Sequence, residues 1–209
     1  MTTTMEIQPG NIETRNLHKY LVSSIGPRPI ALASTIDLKG NKNVSPFSFF
    51  NVFSANPPIV IFSPARRVRD NTTKDTLENI KDVQEVVINI VTEKLVKEAF
   101  LTSTEYPREV DEFQETNLTP IASKKIQPYR VKESPIQMEC KVNQIIELGK
   151  EGGSGNLIIC EILLMHIDKN ILDEAGQIDP NKLKLVGRLG GNWYCKSFDD
   201  AIFKIKKPE

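Results

Sequence analysis

Residues 63–76, SPARRVRDNTTKDT, combine basic side chains with hydroxyl groups in one short polar segment. Guanidinium and ammonium groups donate charge-assisted hydrogen bonds, and a helix that begins in such a segment adds its free N–H groups. This combination is typical of a phosphate site, whereas a solvated loop before a capped helix is the alternative. The candidate phosphate ligands are Ser63, Arg66, Arg67, Arg69, Thr72, Thr73, Lys74 and Thr76.

A second segment, residues 43–58 with the sequence NVSPFSFFNVFSANPP, mixes aromatic and small polar side chains. A planar heteroaromatic ligand needs apolar walls and a few fixed polar groups, which is the usual composition of a cofactor pocket. A bulged core strand whose polar side chains bond the local backbone is the alternative. The polar members are Ser45, Ser48, Asn51 and Ser54, and the aromatic members are Phe47, Phe49, Phe50 and Phe53.

The other residues with catalytic potential form no recognisable motif. His18 and His166 lack Cys, Asp or Glu at metal-ligand spacing, so we expect no metal site. Cys195 could pair with His166 as nucleophile and base, but we interpret the cysteines as buried or half-buried thiols. The GGSGN run at 152–156 precedes a strand-like sequence and not a helix. It therefore predicts a hairpin turn and not a phosphate loop.

Short apolar runs rich in β-branched residues indicate that strands outnumber helices. The helices do not alternate regularly with the strands, which argues against a doubly wound parallel sheet and for an antiparallel barrel with a few helices. A β-sandwich and an α+β sheet are the alternatives. The expected strands lie at 29–36, 57–64, 85–92, 136–148 and 157–167, with a further strand after the turn at 37–43 and a long hairpin around 149–156.

Two helices are predicted between these strands. The first covers 72–82 and begins near Thr73 or Asp75, since Thr and Asp are good N-terminal caps. The second lies within 93–103, where helical spacing places four apolar residues on one face. These are Leu95, Val96, Ala99 and Phe100.

Length and charge exclude several classes of function. The 209 residues are enough for one domain, with a core over about 20–195 and a C-terminal tail over 196–209. The 27 basic and 27 acidic side chains balance, so we expect neither nucleic-acid nor membrane binding. Three widely spaced cysteines predict no disulfide framework, and no signal peptide or membrane span is evident, so we expect a soluble cytoplasmic protein.

Taken together, these segments resemble the flavin reductase-like family. This is the FMN-binding split-barrel group that includes flavoredoxins and the reductase components of two-component flavin monooxygenases. The resemblance covers most of the chain, and its three pieces occur in the family's order. They are GPRPIALASTIDLKGNKNVSPFSFFNVFSANPPIVIFS at 26–63, KDTLENI at 74–80 and VGRLGGNWY at 186–194.

The resemblance implies a mainly β fold, a six-stranded antiparallel Greek-key split barrel. It also implies a homodimer with FMN near the subunit interface. The RLGG run and Tyr194 would close the pocket, from this chain or from its partner. Position by position, the implied FMN-binding residues are Arg28, Ser34, Thr35, Ser45, Pro46, Phe47, Ser48, Asn51, Ser54, Ser63, Arg66, Lys74, Asp75 and Thr76.

The implied activity is FMN-dependent transfer of hydride from NAD(P)H to flavin and on to an acceptor or to free flavin, with no catalytic side chain of the protein required. Trp193, Tyr194 and Cys195 are the candidate substrate contacts. Family reductases that use nicotinamide often carry a histidine where Cys195 stands. An FMN-binding electron carrier, which serves a monooxygenase or another redox partner without a nicotinamide site, is therefore the main alternative. A third is a barrel with no catalytic role.

Overall fold

The computed structural model describes residues 3–207 and is built around one antiparallel sheet of seven strands in the order β2-β1-β5-β8-β9-β4-β3. Its strands are β1 (Ala31–Ile36), β2 (Lys42–Phe47), β3 (Phe50–Ala55), β4 (Pro58–Phe62), β5 (Glu85–Ile90), β8 (Ile136–Glu147) and β9 (Asn156–Ile167). Two small sheets join β6 (Pro120–Ile121) to β7 (Arg130–Val131) and β10 (Val186–Arg188) to β11 (Tyr194–Lys196).

The predicted hairpins are confirmed. In the β1–β2 turn, the Asp37 carboxylate accepts the backbone N–H groups of Lys39 and Asn41, as Asp commonly does in turns. The β8–β9 hairpin turns through the glycine-rich run, where Gly153 adopts a φ of +93°. Glycine takes that conformation without steric penalty, so the run serves as a turn and not as a phosphate loop.

The sheet curves so that its two end strands lie on either side of one short turn. β2 and β3 occupy opposite ends of the strand order, yet only Ser48 and Phe49 separate them in the chain. The Ser63 N–H donates to the carbonyl of Phe49, and the rings of Phe47 and Phe62 lie 5.3 Å apart across the junction. The Ser48–Phe49 turn is therefore the closure of the barrel.

The expectation of six strands is wrong by one. The segment at 43–58 contributes to two strands, because the chain turns at Ser48 and resumes as β3, which pairs with β4. β3 lies at the sheet edge with its polar and apolar side chains largely exposed, including Val52 and Phe53. After the turn, Phe50 still packs against the barrel core beside Phe47, whereas Phe53 is 63% exposed.

Within residues 3–207, four α-helices accompany the strands. They are α1 (Thr14–Ser24), α2 (Asp75–Val83), α3 (Val96–Leu101) and the short α4 (Pro180–Leu183). The predicted start of α2 at Asp75 is confirmed, whereas α1 was not predicted. α3 is shorter than expected, and although Leu95 and Ala99 are buried near it, Phe100 is 51% exposed.

The interior is apolar with a few deeply buried polar groups. The barrel core includes Phe47, Phe62, Leu77 and Ile158, and packing continues as far as Phe198 near the C-terminus. None of the helices within residues 3–207 is both long and apolar enough to cross a membrane. The same residues contain no cluster of three His, Cys, Asp or Glu side chains suited to a metal ion.

One buried carboxylate links the hairpin to the preceding loop. Glu139 on β8 is fully buried and accepts the backbone N–H groups of Lys124 and Lys125 and the Nε2–H of His166. Burial favours a higher pKa for Glu139, but these hydrogen bonds outweigh it and lower the pKa. His166 therefore serves this structural cluster and lies apart from Cys195.

Candidate functional site

Three cavities lie side by side along β2 and the Ser48–Phe49 turn. The basic cavity, of about 320 Å³, lies between α1, the turn and the Arg188–Gly191 loop. The apolar cavity, of about 210 Å³, is lined by Ile30, Pro46, Phe47, Ser48, Phe100, Ser103, Arg188 and Tyr194. The polar cavity, of about 20 Å³, lies beyond Ser45, at the start of α2.

The apolar cavity has largely aromatic walls. Pro46 and Phe47 line it from β2, and Phe100 and Tyr194 line it from α3 and β11. The guanidinium of Arg188 stacks 4.4 Å from the centroid of the Tyr194 ring. Such walls suit a planar ring system, because flat apolar faces can contact both sides of it.

The polar cavity collects the donors that the phosphate hypothesis requires. Ser45 comes from β2, Arg67 from the loop between β4 and α2, and Lys74 and Thr76 from the start of α2. The first N–H groups of any helix lack an intrahelical partner. In the nine-residue helix α2, no side chain caps them either. The helix dipole and these N–H groups favour an anion at the same end.

Lys74 places a largely buried ammonium group in this cavity. Its ammonium lies 5.8 Å from the centroid of the Phe47 ring, and within residues 3–207 no ion pair joins it to a carboxylate. Burial, followed by repulsion from Arg67, lowers the pKa of Lys74. A bound anion would relieve this burial cost. The apolar and polar cavities are therefore neighbours along β2, since Phe47 lines the apolar cavity and Ser45 lines the polar one.

The basic cavity has charged walls of one sign. Lys19 of α1, Arg28 and Arg188 line it without an acidic side chain. His18 also lines it, and burial, followed by repulsion from Arg28, lowers the pKa of His18 and favours its neutral form. Arg28 is 8% exposed and donates to the carbonyls of Val22, Ile25 and Leu189. It therefore connects α1 to the Arg188–Gly191 loop. Burial and the nearby Arg188 lower the pKa of Arg28.

Comparison with known proteins identifies the family. The model of the flavin reductase like domain matches residues 23–183. This chain belongs to the flavin reductase-like family. An uncharacterized protein of Aquifex aeolicus is 36% identical over 201 residues, which cover 96% of this chain and all of that protein.

Solved structures agree with this assignment. Nitrilotriacetate monooxygenase component B from Bacillus cereus superposes with a TM-score of 0.90 at 30% identity, covering 98% of this chain and 100% of that one. A putative flavin reductase with a split barrel domain from Shewanella frigidimarina gives 0.80 at 27% identity, covering 97% and 100%. The flavin reductase-like split barrel is therefore the fold of this chain.

Most of the flavin-binding residues implied by the sequence lie around these three cavities. The Arg188 and Tyr194 walls come from the same chain as Pro46 and Phe47. The implied residues that line a cavity are Arg28, Ser45, Pro46, Phe47, Ser48, Ser63, Lys74, Asp75, Thr76 and Tyr194.

The other implied residues lie elsewhere. Ser34 and Thr35 are buried inside the barrel wall, where the Ser34 hydroxyl donates to the Tyr129 carbonyl. Arg66 braces its own loop through Asn71. The remaining four line none of the three cavities: Asn51 and Ser54 on β3, the 76% exposed Trp193, and Cys195 with its thiol toward Gly187.

Several cavity residues were not included among the predicted site residues. His18 is not among the predicted site residues because helix α1 was not predicted. The apolar residues at helical spacing in TRNLHKYLVSS could have indicated this helix. Phe100 is predicted only as part of a packed helical face. Arg67 is a candidate phosphate ligand of the 63–76 segment but is not among the FMN-binding residues that the resemblance implies. Glu112 had no detectable signal, because its segment forms neither helix nor strand.

Proposed function

We propose that this protein is an FMN-binding oxidoreductase that takes hydride from NAD(P)H and delivers it to an acceptor or to free flavin. The observation that carries the proposal is the junction at Phe47 and Lys74. There the Lys74 ammonium, one of the anion donors, lies 5.8 Å from the centroid of the Phe47 ring, which lines the apolar cavity. A phosphorylated planar molecule requires this pairing of an apolar wall with a charged end.

The residues present fit FMN. Ser45, Thr76 and the N–H groups at the start of α2 would bind the phosphate, with Lys74 and Arg67 supplying charge. Pro46, Phe47 and Tyr194 would hold the ring and exclude water from its faces. When bound, FMN supplies the hydride-accepting chemistry, so no side chain of the protein needs to act as acid or base.

The basic cavity extends this site toward a second substrate. The cationic side chains of Lys19, Arg28 and Arg188 surround it without a carboxylate. Such a field attracts an anionic molecule. The phosphates of NAD(P)H match it, so the nicotinamide donor is part of the proposal.

A homodimer is also part of the proposal. β3 is an edge strand that exposes Val52 and Phe53, at 65% and 63% of their surface. Such an edge is a ready surface for pairing with a second copy. Sedimentation would report a dimer, and Val52→Lys together with Phe53→Lys would convert it to a monomer. A cytoplasmic location completes the proposal, since Cys140, Cys160 and Cys195 are free thiols.

The absorption spectrum of the purified protein tests the proposal. A yellow preparation that releases FMN on denaturation is expected, and protein without flavin that also fails to bind added FMN would contradict it. Anaerobic bleaching by NADH or NADPH separates the reductase from the electron carrier. Bleaching by dithionite alone would favour the carrier, for which the position of Cys195 and the exposed Trp193 offer some support.

A further inference from the structure

The polar cavity contains a carboxylate whose presence beside a phosphate site needs an explanation. Glu112 is 8% exposed and lines the same cavity as Lys74 and Thr76. Its oxygens accept the side-chain N–H of Asn43, at 2.6 Å, and the backbone N–H of Val44, at 3.2 Å. An ionised carboxylate in this place would repel a phosphate, so its state decides what the cavity can bind.

A directed chain of hydrogen bonds starts at Glu112. An ionised carboxylate can only accept, so it fixes the Asn43 amide with Nδ2 toward Glu112 and Oδ1 toward two hydroxyl groups. Thr76 then donates its hydroxyl proton to Asn43 Oδ1, at 2.8 Å. Thr35 accepts from Asn79 Nδ2, at 3.1 Å, and donates to the same Asn43 oxygen, at 3.4 Å.

This chain leaves Thr76 as an acceptor toward the cavity, because its one proton points away. A protonated Glu112 reverses the direction. The carboxylic acid would donate to Asn43 Oδ1, the amide would turn over, and Asn43 Nδ2 would donate to the Thr76 oxygen. The Thr76 hydroxyl proton would then be free to bond a phosphate oxygen in the cavity.

Building on the proposed function, we propose that Glu112 is a positioning residue that sets the Thr76 hydroxyl through Asn43, and that binding of a phosphorylated flavin takes up one proton at Glu112. The proton comes from the solvent and no covalent bond changes. Two effects favour this uptake: one of the three carboxylates that line the cavity loses its negative charge, and Thr76 becomes a donor.

The surroundings place Glu112 where it can respond. Burial raises the pKa of Glu112 to about 7, against the opposing hydrogen bonds from Val44 and Asn43. Both signs of charge face it from the neighbouring elements. These groups are Lys42 and Asp111, which form an ion pair, and the cavity residues Arg67, Lys74, Asp75, Glu105 and Tyr106.

Titration calorimetry of the flavin-free protein with FMN tests the proposal, at pH 8 in two buffers of different ionisation enthalpy. The FMN phosphate, with a second pKa of about 6, is then already a dianion, so proton uptake belongs to the protein. We expect uptake of about 0.9 proton for FMN, since a group with a pKa near 7 is about 90% ionised at pH 8. Riboflavin, which lacks the phosphate, should cause none.

Variants assign the proton to one residue. Glu112→Gln keeps an acceptor for Val44 and a donor for Asn43, so it copies the protonated state and should bind FMN without uptake. Its affinity should stay constant between pH 7.5 and 8.5, while that of the wild type falls up to about tenfold. Glu115→Gln, an exposed change three residues away, should behave like the wild type.

The outcomes are distinguishable. Tight FMN binding with no proton uptake, or equal uptake with riboflavin, would overturn the role of Glu112 and leave the proposed function intact. Absence of FMN binding would overturn the proposed function itself. The comparison of FMN with riboflavin uses only the wild-type protein, so a lack of proton uptake with FMN would overturn the proposal even if Glu112→Gln fails to fold.

Discussion

Replacing Lys74 by methionine removes the ammonium group from the polar cavity but keeps an unbranched side chain beside Phe47. The wild-type ammonium has no carboxylate partner within residues 3–207, so its loss orphans no side chain of the protein. The phosphate would lose a charge-assisted partner worth about 1.5–3 kcal/mol. FMN should therefore bind about 10- to 150-fold more weakly.

Fluorescence titration with FMN and with riboflavin isolates this contribution. Riboflavin shares the ring but lacks the phosphate, so its affinity for Lys74→Met should change less than about twofold. Lys81→Met is the matched control, because Lys81 lies on the same helix with its ammonium near Glu78. Equal losses for both flavins, or unchanged FMN affinity, would show that Lys74 does not contact the phosphate.

Four further changes have defined outcomes. Gly190→Ala places a Cβ against Ser23, 3.1 Å from its Cα, and should lower stability by about 1–3 kcal/mol, read as a lower Tm. Glu139→Ala should lower stability by about 1–3 kcal/mol in urea unfolding, because it removes the buried acceptor of the part-buried N–H groups of Lys124 and Lys125. Cys195 alone should react with iodoacetamide in the folded protein, as mass spectrometry would show. Glu112→Gln should flatten the pH dependence of unfolding between about pH 4.5 and 7.

Each of these has a control or a contrary result. Gly10→Ala meets no atom within 4 Å and should leave the Tm unchanged. A stable Glu139→Ala variant would show that the cluster around Glu139 contributes little. Burial raises the pKa of Cys140 to about 12 and that of Cys160 well above its ordinary value, so early labelling of either would contradict the packed core.

The pH effect at Glu112 has a definite sign. The pKa is raised in the folded protein, so the folded state holds the proton more tightly than the unfolded chain. This stabilisation is complete below about pH 4.5 and is lost as the pH rises to about 7. The change from 4.5 to about 7 corresponds to about 3 kcal/mol. Parallel pH profiles for wild type and Glu112→Gln would contradict it.

The sequence was most informative where local patterns decide structure. The β1–β2 and β8–β9 hairpins follow from β-branched runs around Asp, Asn and Gly turns. α2 begins at Asp75, within the predicted range, although its N-cap is Lys74 and no Thr or Asp side chain caps it. The split at Ser48 could not be read in this way. Only the closure of the barrel, a contact between distant strands, makes residues 43–58 turn there.

The same distinction holds for the candidate site. The segments 43–58 and 63–76 could be recognised as ligand-binding types because each carries its chemistry in one stretch. Which of their side chains face a cavity depends on the register between strands. Arg67 lines the polar cavity while Arg66 braces the loop, a difference that the spacing of two adjacent arginines does not reveal.

In the flavin-free polar cavity, Lys74 and Glu112 interact with each other, and a bound phosphate would replace Glu112 as the partner of Lys74. Lys74 and Glu112 are both buried at some cost, and each lowers that cost for the other, since Glu112 favours the charged form of Lys74. An arriving phosphate takes over Lys74 as a partner and leaves Glu112 facing a dianion. Protonation of Glu112 then has the lowest free-energy cost. It removes the repulsion, and through the hydrogen bonds of Asn43 it also frees the Thr76 hydroxyl to donate to the phosphate. Weakening Lys74 should therefore also raise the pKa of Glu112, so that the two residues act as one coupled unit.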